Sequence, residues 1–275
     1  MINRLTNLLN RFYYFVFDRL ILYPMLYLLK NRCNIHFMNL GYQPAANDEI
    51  ISCAINKFYK ADTAEKAHAS LYEKTLSLCP KYPVLQNISI LEVGCGHGGG
   101  VRWIERSHPE IKSIRGIDVI VTDCLGGKVT NGDAHNLPFA ENTFDLIINV
   151  ESSHLYRDEQ QFFRECCRVL RPGGTLCWAD LRYSDQVESL IEKASNANLS
   201  LVKLKDITDQ VVEAINLTAS EYDAQLAKAP RIIQLFRNSI RTTYCAPGTE
   251  SHKRLTERKK IYTAACWTAR KLTKS

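Results

Sequence analysis

Short hydrophobic runs alternate with amphipathic segments through the middle of the chain. The runs predict buried strands at residues 88–93, 113–119, 127–131, 144–150, 175–181, 199–205 and 260–269. Apolar positions at helical spacing predict helices at residues 62–78, 99–107, 158–170 and 185–194. Strands that alternate with helices are typical of an α/β fold built on a largely parallel sheet. The pattern therefore predicts one α/β domain.

Two helical regions flank this pattern. Residues 1–80 are aromatic-rich and contain an apolar stretch at 12–29, which Asp18, Arg19 and Pro24 interrupt. A charge at the centre of a bilayer costs about 3 kcal/mol. We therefore expect a helix that packs on the domain as a lid or lies on a membrane surface, and a spanning helix is the third alternative. Residues 81–275 would form the main domain, with a helical cap at about 207–241.

Composition narrows the class of protein. The chain has 275 residues and a formal charge of +6, and many of its basic residues lie near the two ends. A basic rim suits a solvated surface or an anionic membrane, and no interleaved aromatic and basic pattern indicates nucleic acid. The ten cysteines form no Cys-x-x-Cys pair. That scatter favours reduced thiols in a cytoplasmic protein and predicts no metal site. Association of this protein with a membrane stays open as an alternative.

A glycine-rich loop follows the first strand. Gly94, Gly96 and Gly98 alternate, and Glu92 precedes them by two positions. Glycine allows a tight turn against a ligand, and the helix that follows offers free N–H groups. A dinucleotide loop has a different spacing and no such acid, whereas a carboxylate suits a cation such as the ammonium and sulfonium of S-adenosylmethionine. A generic strand-turn-helix loop and an NAD-type oxidoreductase remain alternatives.

Two further acids follow in order along the chain. Asp118 ends the second predicted strand, where a carboxylate can bind both hydroxyls of a ribose. Asp133 and Ala134 precede a Leu-Pro-Phe segment, and there an acid can accept from an adenine amino group while a backbone N–H donates to the ring. Together with the loop, these positions indicate a nucleoside-containing cationic cofactor.

These residues resemble the class I S-adenosylmethionine-dependent methyltransferases, and among them the phthiotriol and phenolphthiotriol dimycocerosate methyltransferases. The segments that carry the likeness are residues 68–72, 94–100, 149–156 and 178–182. The resemblance implies a Rossmann-like sheet of seven strands with the last strand antiparallel, a helical N-terminal extension and a cap. It assigns cofactor binding to Tyr72, Glu92, Gly94, Cys95, Gly96, His97, Asp118, Asp133, Ala134 and Asn149. Tyr42 would close over the cofactor from the N-terminal side.

One departure from that pattern lies between Asp118 and Asp133, which are only 15 positions apart. Residues 120–127 are too few for the usual crossover helix, since parallel strands need a connection of about a dozen residues. Either an extended loop makes the crossover or the third strand is disrupted. A catalytically weak or inactive binding protein therefore stays open as an alternative function.

Candidate catalytic residues follow the fourth predicted strand. His154 could take a proton from a hydroxyl, with Glu151 orienting its ring, or both could merely line the site. Tyr156 and Arg182 are candidates for the acceptor pocket. The aromatic N-terminus and the cap suit a small, apolar, lipid-like acceptor, with peripheral membrane contact through the N-terminus. The sequence thus predicts methyl transfer to such a molecule, most simply at a hydroxyl.

Overall fold

The hydrophobic runs form one mixed sheet in a computed structural model, which describes residues 37–121 and 123–270. The strands are β1 Ser89–Val93, β2 Ser113–Asp118, β3 Val129–Asn131, β4 Phe144–Val150, β5 Leu170–Tyr183, β6 Leu199–Asp206 and β7 Lys260–Ala269. Across the sheet their order is β3-β2-β1-β4-β5-β7-β6. The strands β1 to β5 pair in parallel, and β7 runs antiparallel to both β5 and β6. The predicted seven-stranded sheet with an antiparallel last strand is confirmed.

Helices pack on both faces of the sheet. In the described part of the chain they are α1 Glu49–Asn56, α2 Ala64–Leu76, α3 Gly99–Ser107, α4 Glu159–Val169, α5 Val187–Asn196, α6 Thr208–Ala227, α7 Arg231–Gln234, α8 Arg237–Thr243 and α9 Glu250–Thr256. Side chains cap several of them: Thr63 accepts from the backbone N–H of Lys66, and Asp158 from that of Gln161. Such caps satisfy N–H groups that the first turn leaves open.

The core has two parts because side chains alternate across each strand. Ile90 and Ile148 belong to the part that packs under α1, α2 and α3. Leu91 and Ile147 belong to the part under α4 and α5. Since β1 is buried along its whole length, its sequence is a continuous hydrophobic run rather than an alternating one.

The connection from β2 to β3 is an extended loop. Residues 119–121 and 123–128 contain a single 3-10 turn, Leu125–Gly127, and no α-helix. The third strand nevertheless pairs with β2 in parallel, from Gly116 opposite Val129 to Asp118 opposite Asn131. The missing crossover helix thus shortens β3 to three residues without removing it from the sheet.

The fifth strand is longer than its sequence pattern predicts. It begins at Leu170 rather than at residue 175, and so includes Pro172, Gly173 and Gly174, which are residue types typical of turns. The structure accommodates these residues as an irregularity in the pairing with β4, and Gly173 takes a φ of 82°. The hydrophobic pattern alone cannot distinguish such a bulge from a turn.

The predicted apolar stretch at residues 12–29 lies outside the described residues, as does the rest of 1–36. The described part of the predicted N-terminal lid contains α1 and α2. Among the described helices, none has the length and hydropathy needed to cross a bilayer. The region expected to be a helical cap, residues 207–241, forms α6, α7 and most of α8.

Candidate functional site

The glycine-rich loop lies between β1 and α3 at the carboxyl edge of the sheet. Gly94 has a φ of 73°, and a Cβ there would lie 2.4 Å from Oγ of Ser152. A Cβ on Gly100 would lie 2.2 Å from the Tyr72 ring and 2.4 Å from Oε1 of Glu92. Glycine is therefore required at both positions, for backbone conformation at the first and for close approach at both.

Glu92 is a fully buried acid beneath this loop. Its Oε1 accepts a hydrogen bond from the Tyr72 hydroxyl at 2.6 Å, and its Oε2 has no hydrogen-bond partner in the described part of the chain. Burial raises the pKa of Glu92 to about 8, because no cation stands beside it. A buried carboxyl with an unused oxygen fits the positively charged end of S-adenosylmethionine.

Asn149 lies at the end of β4, next to the same loop. Its Nδ2 donates to the Val93 carbonyl at 2.7 Å and to Oγ of Ser152 at 2.7 Å, and it lies 3.1 Å from the Tyr156 hydroxyl. Its Oδ1 is buried and has no hydrogen-bond partner among the described residues. The end of β4 thus presents a second unused oxygen, which can accept from a donor on a bound cofactor.

Asp118 joins the end of β2 to the loop. Its Oδ2 accepts from the Gly96 backbone N–H at 2.8 Å and its Oδ1 from that of Ile120 at 3.0 Å. Burial raises the pKa of this carboxyl. Each carboxylate oxygen can accept more than one hydrogen bond, so Asp118 retains acceptor capacity for ribose hydroxyls.

The predicted adenine site lies beyond β3. Asp133 accepts from the backbone N–H of His135 at 2.9 Å, contacts its ring nitrogen, and pairs with Arg157 at 3.3 Å. Ala134 beside it is buried. The carboxylate of Asp133 therefore already has protein partners, which an adenine amino group would have to share.

Two further loop residues are buried. Cys95 donates its backbone N–H to the Ile117 carbonyl at 3.1 Å, and the carbonyl of His97 accepts from Arg102 at 3.3 Å. Both residues shape the loop through their backbones. Tyr42, expected over the cofactor, directs its hydroxyl to Asp48 instead.

His154 pairs with a buried acid that the sequence did not single out. Its Nδ1 lies 2.7 Å from Oδ1 of Asp180, a residue with no exposed surface. The Leu181 backbone N–H donates to that same oxygen, and Oδ2 accepts from the Ser153 hydroxyl and the His154 backbone N–H. Burial opposes ionisation of Asp180, but the charges of His154 and Arg182 and these hydrogen bonds lower its pKa to about 2. An ionised Asp180 fixes a proton on Nδ1 and leaves Nε2 as the basic nitrogen.

The expectation that Glu151 orients His154 is corrected by this geometry. Oε2 of Glu151 accepts from the Leu40 backbone N–H at 2.8 Å and from the Tyr262 hydroxyl at 2.9 Å. Its φ of 49° turns the chain at the end of β4. Burial raises the pKa of Glu151 to about 7. Glu151 therefore joins β4 to β7 and to the N-terminal segment.

That segment, residues 37–42, is here called the strap. The ring of Phe37 lies 5.8 Å from those of His68 and Tyr72. The sequence did not predict the contacts of Asp180 or of the strap as a whole, although Asp180 lies inside the 178–182 segment that carries the family resemblance. Their roles depend on contacts between residues far apart in the chain.

Comparison with known proteins places this geometry in a family. A model described as a methyltransferase domain matches residues 91–178. A phthiotriol/phenolphthiotriol dimycocerosates methyltransferase of Mycobacterium leprae is 37% identical over 165 residues, which are 56% of this chain and 59% of the relative's length. The corresponding methyltransferase 1 of Mycobacterium ulcerans is 31% identical over 70% of each chain. A fatty-acid O-methyltransferase of Mycolicibacterium smegmatis is 30% identical over 68% of this chain and 69% of its own.

Solved structures share the fold at low sequence identity. The cyclase SpnF aligns with a TM-score of 0.68 and 19% identity, over 90% of this chain and 95% of its own. A geranyl diphosphate C-methyltransferase from Streptomyces coelicolor, bound to S-adenosylhomocysteine, aligns with a TM-score of 0.58 and 13% identity, over 88% and 92%. The oxidoreductase alternative finds no support in these comparisons. By its sheet order, its matched domain and its relatives, the chain belongs to the class I S-adenosylmethionine-dependent methyltransferases.

Proposed function

We propose that the protein transfers a methyl group from S-adenosylmethionine to an oxygen of a small, apolar, lipid-like molecule. The observation that carries this proposal is the pair of His154 and Asp180 at the carboxyl edge of β4 and β5. An imidazole held by a buried carboxylate is suited to take a proton from a hydroxyl. Transfer to oxygen needs such a base when the acceptor is an alcohol.

The residues around the loop would hold the cofactor in a defined orientation. Glu92 and Asn149 would bind its methionine end, Asp118 its ribose, and Asp133 with Ala134 its adenine. When bound, the cofactor supplies a methyl group activated by a positively charged sulfur. The protein contributes orientation and a site from which water is excluded, and these account for much of the rate of such a displacement.

The proton step uses His154 alone. The hydroxyl proton would pass to Nε2 of His154 as the acceptor oxygen takes the methyl group from the sulfonium sulfur, which would leave as the neutral thioether of S-adenosylhomocysteine. The imidazolium that forms is stabilised by the carboxylate of Asp180, which stays ionised because of its low pKa. An acceptor that is already a carboxylate would need no base, and His154 would then only line the site.

The apolar acceptor is supported by the relatives and by the helices near the site. Two of the relatives are named for phthiotriol and one for a fatty acid. The helices α6 to α8 would form the cap, residues 1–80 the lid, and 81–275 the catalytic domain. The apolar stretch at 12–29 would make peripheral contact with a membrane. Every described cysteine is a free thiol, which fits the proposed cytoplasmic location.

Incubation with methyl-labelled S-adenosylmethionine and a lipid extract, followed by mass spectrometry, tests this function. We expect one apolar product that gains a single labelled methyl on oxygen. His154→Ala should reduce turnover of an alcohol acceptor about 100-fold or more while cofactor affinity stays unchanged. His252→Ala, which changes a histidine outside the site, is the matched control. Normal turnover by the His154 variant would contradict its role as base, and absence of any labelled lipid would contradict the function.

The extended β2–β3 loop favours a second candidate, a methyltransferase fold that binds without efficient catalysis. Asp118 is held at one end of this loop, so weaker ordering there would lower cofactor affinity. Isothermal titration with S-adenosylmethionine separates the two candidates. Micromolar affinity supports the enzyme, and no heat at millimolar cofactor supports the second candidate.

A further inference from the structure

The side-chain amide of Asn39, in the strap, has a fixed orientation. The Gly41 backbone N–H donates to its Oδ1 at 2.9 Å, a bond that only an oxygen can accept. The amide therefore cannot be flipped, and its NH2 group points away from Gly41. This assignment follows from hydrogen-bond chemistry alone.

The same oxygen fixes the tautomer of His68. Nδ1 of His68 lies 3.0 Å from Oδ1 of Asn39, so Nδ1 must carry the proton. Nε2 then presents a lone pair, and the Tyr222 hydroxyl of α6 donates to it. Burial lowers the pKa of His68 to about 4, so the ring is neutral and both of its nitrogens are satisfied. Among the polar side-chain groups of Asn39, His68 and Tyr222, one is left without a hydrogen-bond partner in the described part of the chain.

That group is the NH2 of Asn39. Asn39 is 7% exposed, and its Nδ2 is buried without a hydrogen-bond partner in the described part of the chain. A buried donor left unpaired opposes folding, and native proteins rarely keep one without a functional or structural reason. An oxygen acceptor from a bound molecule would satisfy it.

Neighbours of Asn39 in the strap connect this segment to both buried acids of the site. Leu40, the following residue, donates its N–H to Glu151 at the end of β4. Phe37 contacts the ring of Tyr72, whose hydroxyl donates to Glu92 at β1. Through His68 and Tyr222, the strap also contacts α6 of the proposed cap. The strap that carries the unpaired donor therefore contacts the end of β4, α2 and α6.

We propose that Asn39 determines acceptor specificity, its side-chain NH2 donating a hydrogen bond to an oxygen of the methyl acceptor. The inference rests on the proposed function and assigns a residue within the same site. A molecule with an oxygen near its reacting end is bound by this donor, and a hydrocarbon chain alone is not.

Side-chain amide NMR of the protein with S-adenosylhomocysteine bound tests the proposal directly. The probes are palmitic acid and 1-hexadecanol, with hexadecane as a control that has the same chain length and no oxygen. We expect the Asn39 NH2 resonance to shift with at least one oxygen-bearing probe and to stay in place with hexadecane. A resonance that moves with neither oxygen-bearing probe overturns the proposal.

Asn39→Asp is the variant closest in shape, since Asp keeps an oxygen for Gly41 and His68 and replaces the donor with a second carboxylate oxygen, which also adds a negative charge. We expect its Kd for the responsive probe to rise at least tenfold while its Kd for S-adenosylhomocysteine stays within twofold of the unmutated protein. Asn216→Asp makes the same change on an exposed part of α6 and should alter neither. If the aspartate variant loses S-adenosylhomocysteine instead, the donor serves the cofactor carboxylate and the proposal is wrong.

The two proposals fail in different ways. A shift of the Asn39 resonance without any methylated product contradicts the proposed function and leaves the binding role of Asn39 standing. Methylated product with no shift contradicts only the assignment of Asn39. If the aspartate variant does not fold, the resonance of the unmutated protein still decides the outcome.

Discussion

Asp180 and Glu92, two buried carboxyl groups at one edge of the sheet, differ in protonation near pH 7, where the first is ionised and the second holds its proton. Asp180 receives four hydrogen bonds, counting the His154 ring, and lies near Arg182, and its pKa is lowered to about 2. Glu92 receives a hydrogen bond from Tyr72 but has no cation beside it, so burial raises its pKa to about 8. Environment, not residue type, sets the charge of each group. The first is suited to hold a base, and the second to receive a cation.

Cofactor affinity should therefore depend on pH through Glu92. Below pH 8 its carboxyl holds a proton that must leave before it can pair with the cofactor ammonium, so affinity should fall about tenfold per pH unit. Above about pH 8 the ammonium loses its own proton, so affinity should fall again. Titration calorimetry between pH 6 and 9.5 should give a maximum near pH 8.

Glu92→Gln is the control for this dependence. It should weaken S-adenosylmethionine binding and remove the acid limb of the profile, because the amide does not titrate. An acid limb of equal slope in the variant would show that another group governs it.

At the scale of elements, the buried acid Glu73 of α2 joins this helix to α3. Oε1 of Glu73 accepts from the Tyr82 hydroxyl at 2.7 Å and Oε2 from Nε1 of Trp103 at 3.1 Å. Nε2 of His108, the residue directly after α3, lies 3.1 Å from the same carboxyl. Burial opposes the charge of His108, but hydrogen bonds and the charges of Glu73 and Glu110 raise its pKa. The network holds the helix that carries Tyr72 against the helix that follows the glycine loop.

This network should make stability depend on pH in a defined direction. A histidine whose folded pKa is raised stabilises the protein fully below its unfolded pKa of about 6.5, and the contribution is lost as pH rises through the folded value. Urea unfolding at pH 5.5 and pH 9 should show this loss in the unmutated protein.

Glu73→Gln should lower the free energy of unfolding by about 3 kcal/mol, because it removes one partner of a buried pair. The variant should also lose the His108 part of the pH dependence. The same difference between the two pH values in both proteins would rule out the pair as its source.

The elements differ in how well their sequence predicted them. The fourth strand, with its long apolar run, was predicted at its observed bounds, Phe144–Val150. The third strand was predicted two residues too long, because Val129 is the only buried residue in it. At the fifth, Pro172 and Gly173 carry the signal of a turn, but they lie within the strand because Leu170 before them and Thr175 after them both pair with β4. Local patterns define elements with strong burial, and tertiary pairing decides the others.

The candidate site divides in the same way. The positions of Glu92 and Asp118 at the edge of the sheet were predictable because each lies at the end of a strand with a hydrophobic pattern. Asp180 was not predicted as the partner of His154, since the two lie 26 positions apart and meet only through the pairing of β4 with β5. Asn39 was not predicted because the contact that fixes its side chain is with His68, which lies 29 positions away in the chain.

At the scale of the described chain, the strand order brings the loops of the site together. The strands β2, β1 and β4 are neighbours, and their carboxyl ends carry Asp118, Glu92 and Asn149. From β1 the strand order continues through β2 and β3 towards one edge of the sheet and through β4 and β5 towards the other, so the order reverses at β1. Ligands of open α/β sheets bind at such a reversal. One ligand can therefore touch three loops at once.

Hydrogen exchange should report this convergence. Addition of S-adenosylmethionine should slow amide exchange about tenfold or more in three segments together, residues 93–100, 117–134 and 149–156. Exchange in β5 and β7 should be slow with or without the cofactor, because both strands are paired on two sides. Protection confined to a single segment would contradict a shared site.

The position of β7 has a consequence for the order in which the chain can fold during synthesis. It follows every other described strand along the chain, yet it lies between β5 and β6, so neither of these strands can pair with it until β7 has been synthesised. The nascent chain must carry two open strand edges, and the His154–Asp180 pair stands on one of them. Chaperones should therefore be needed to protect these edges of the newly made protein until β7 is inserted between them.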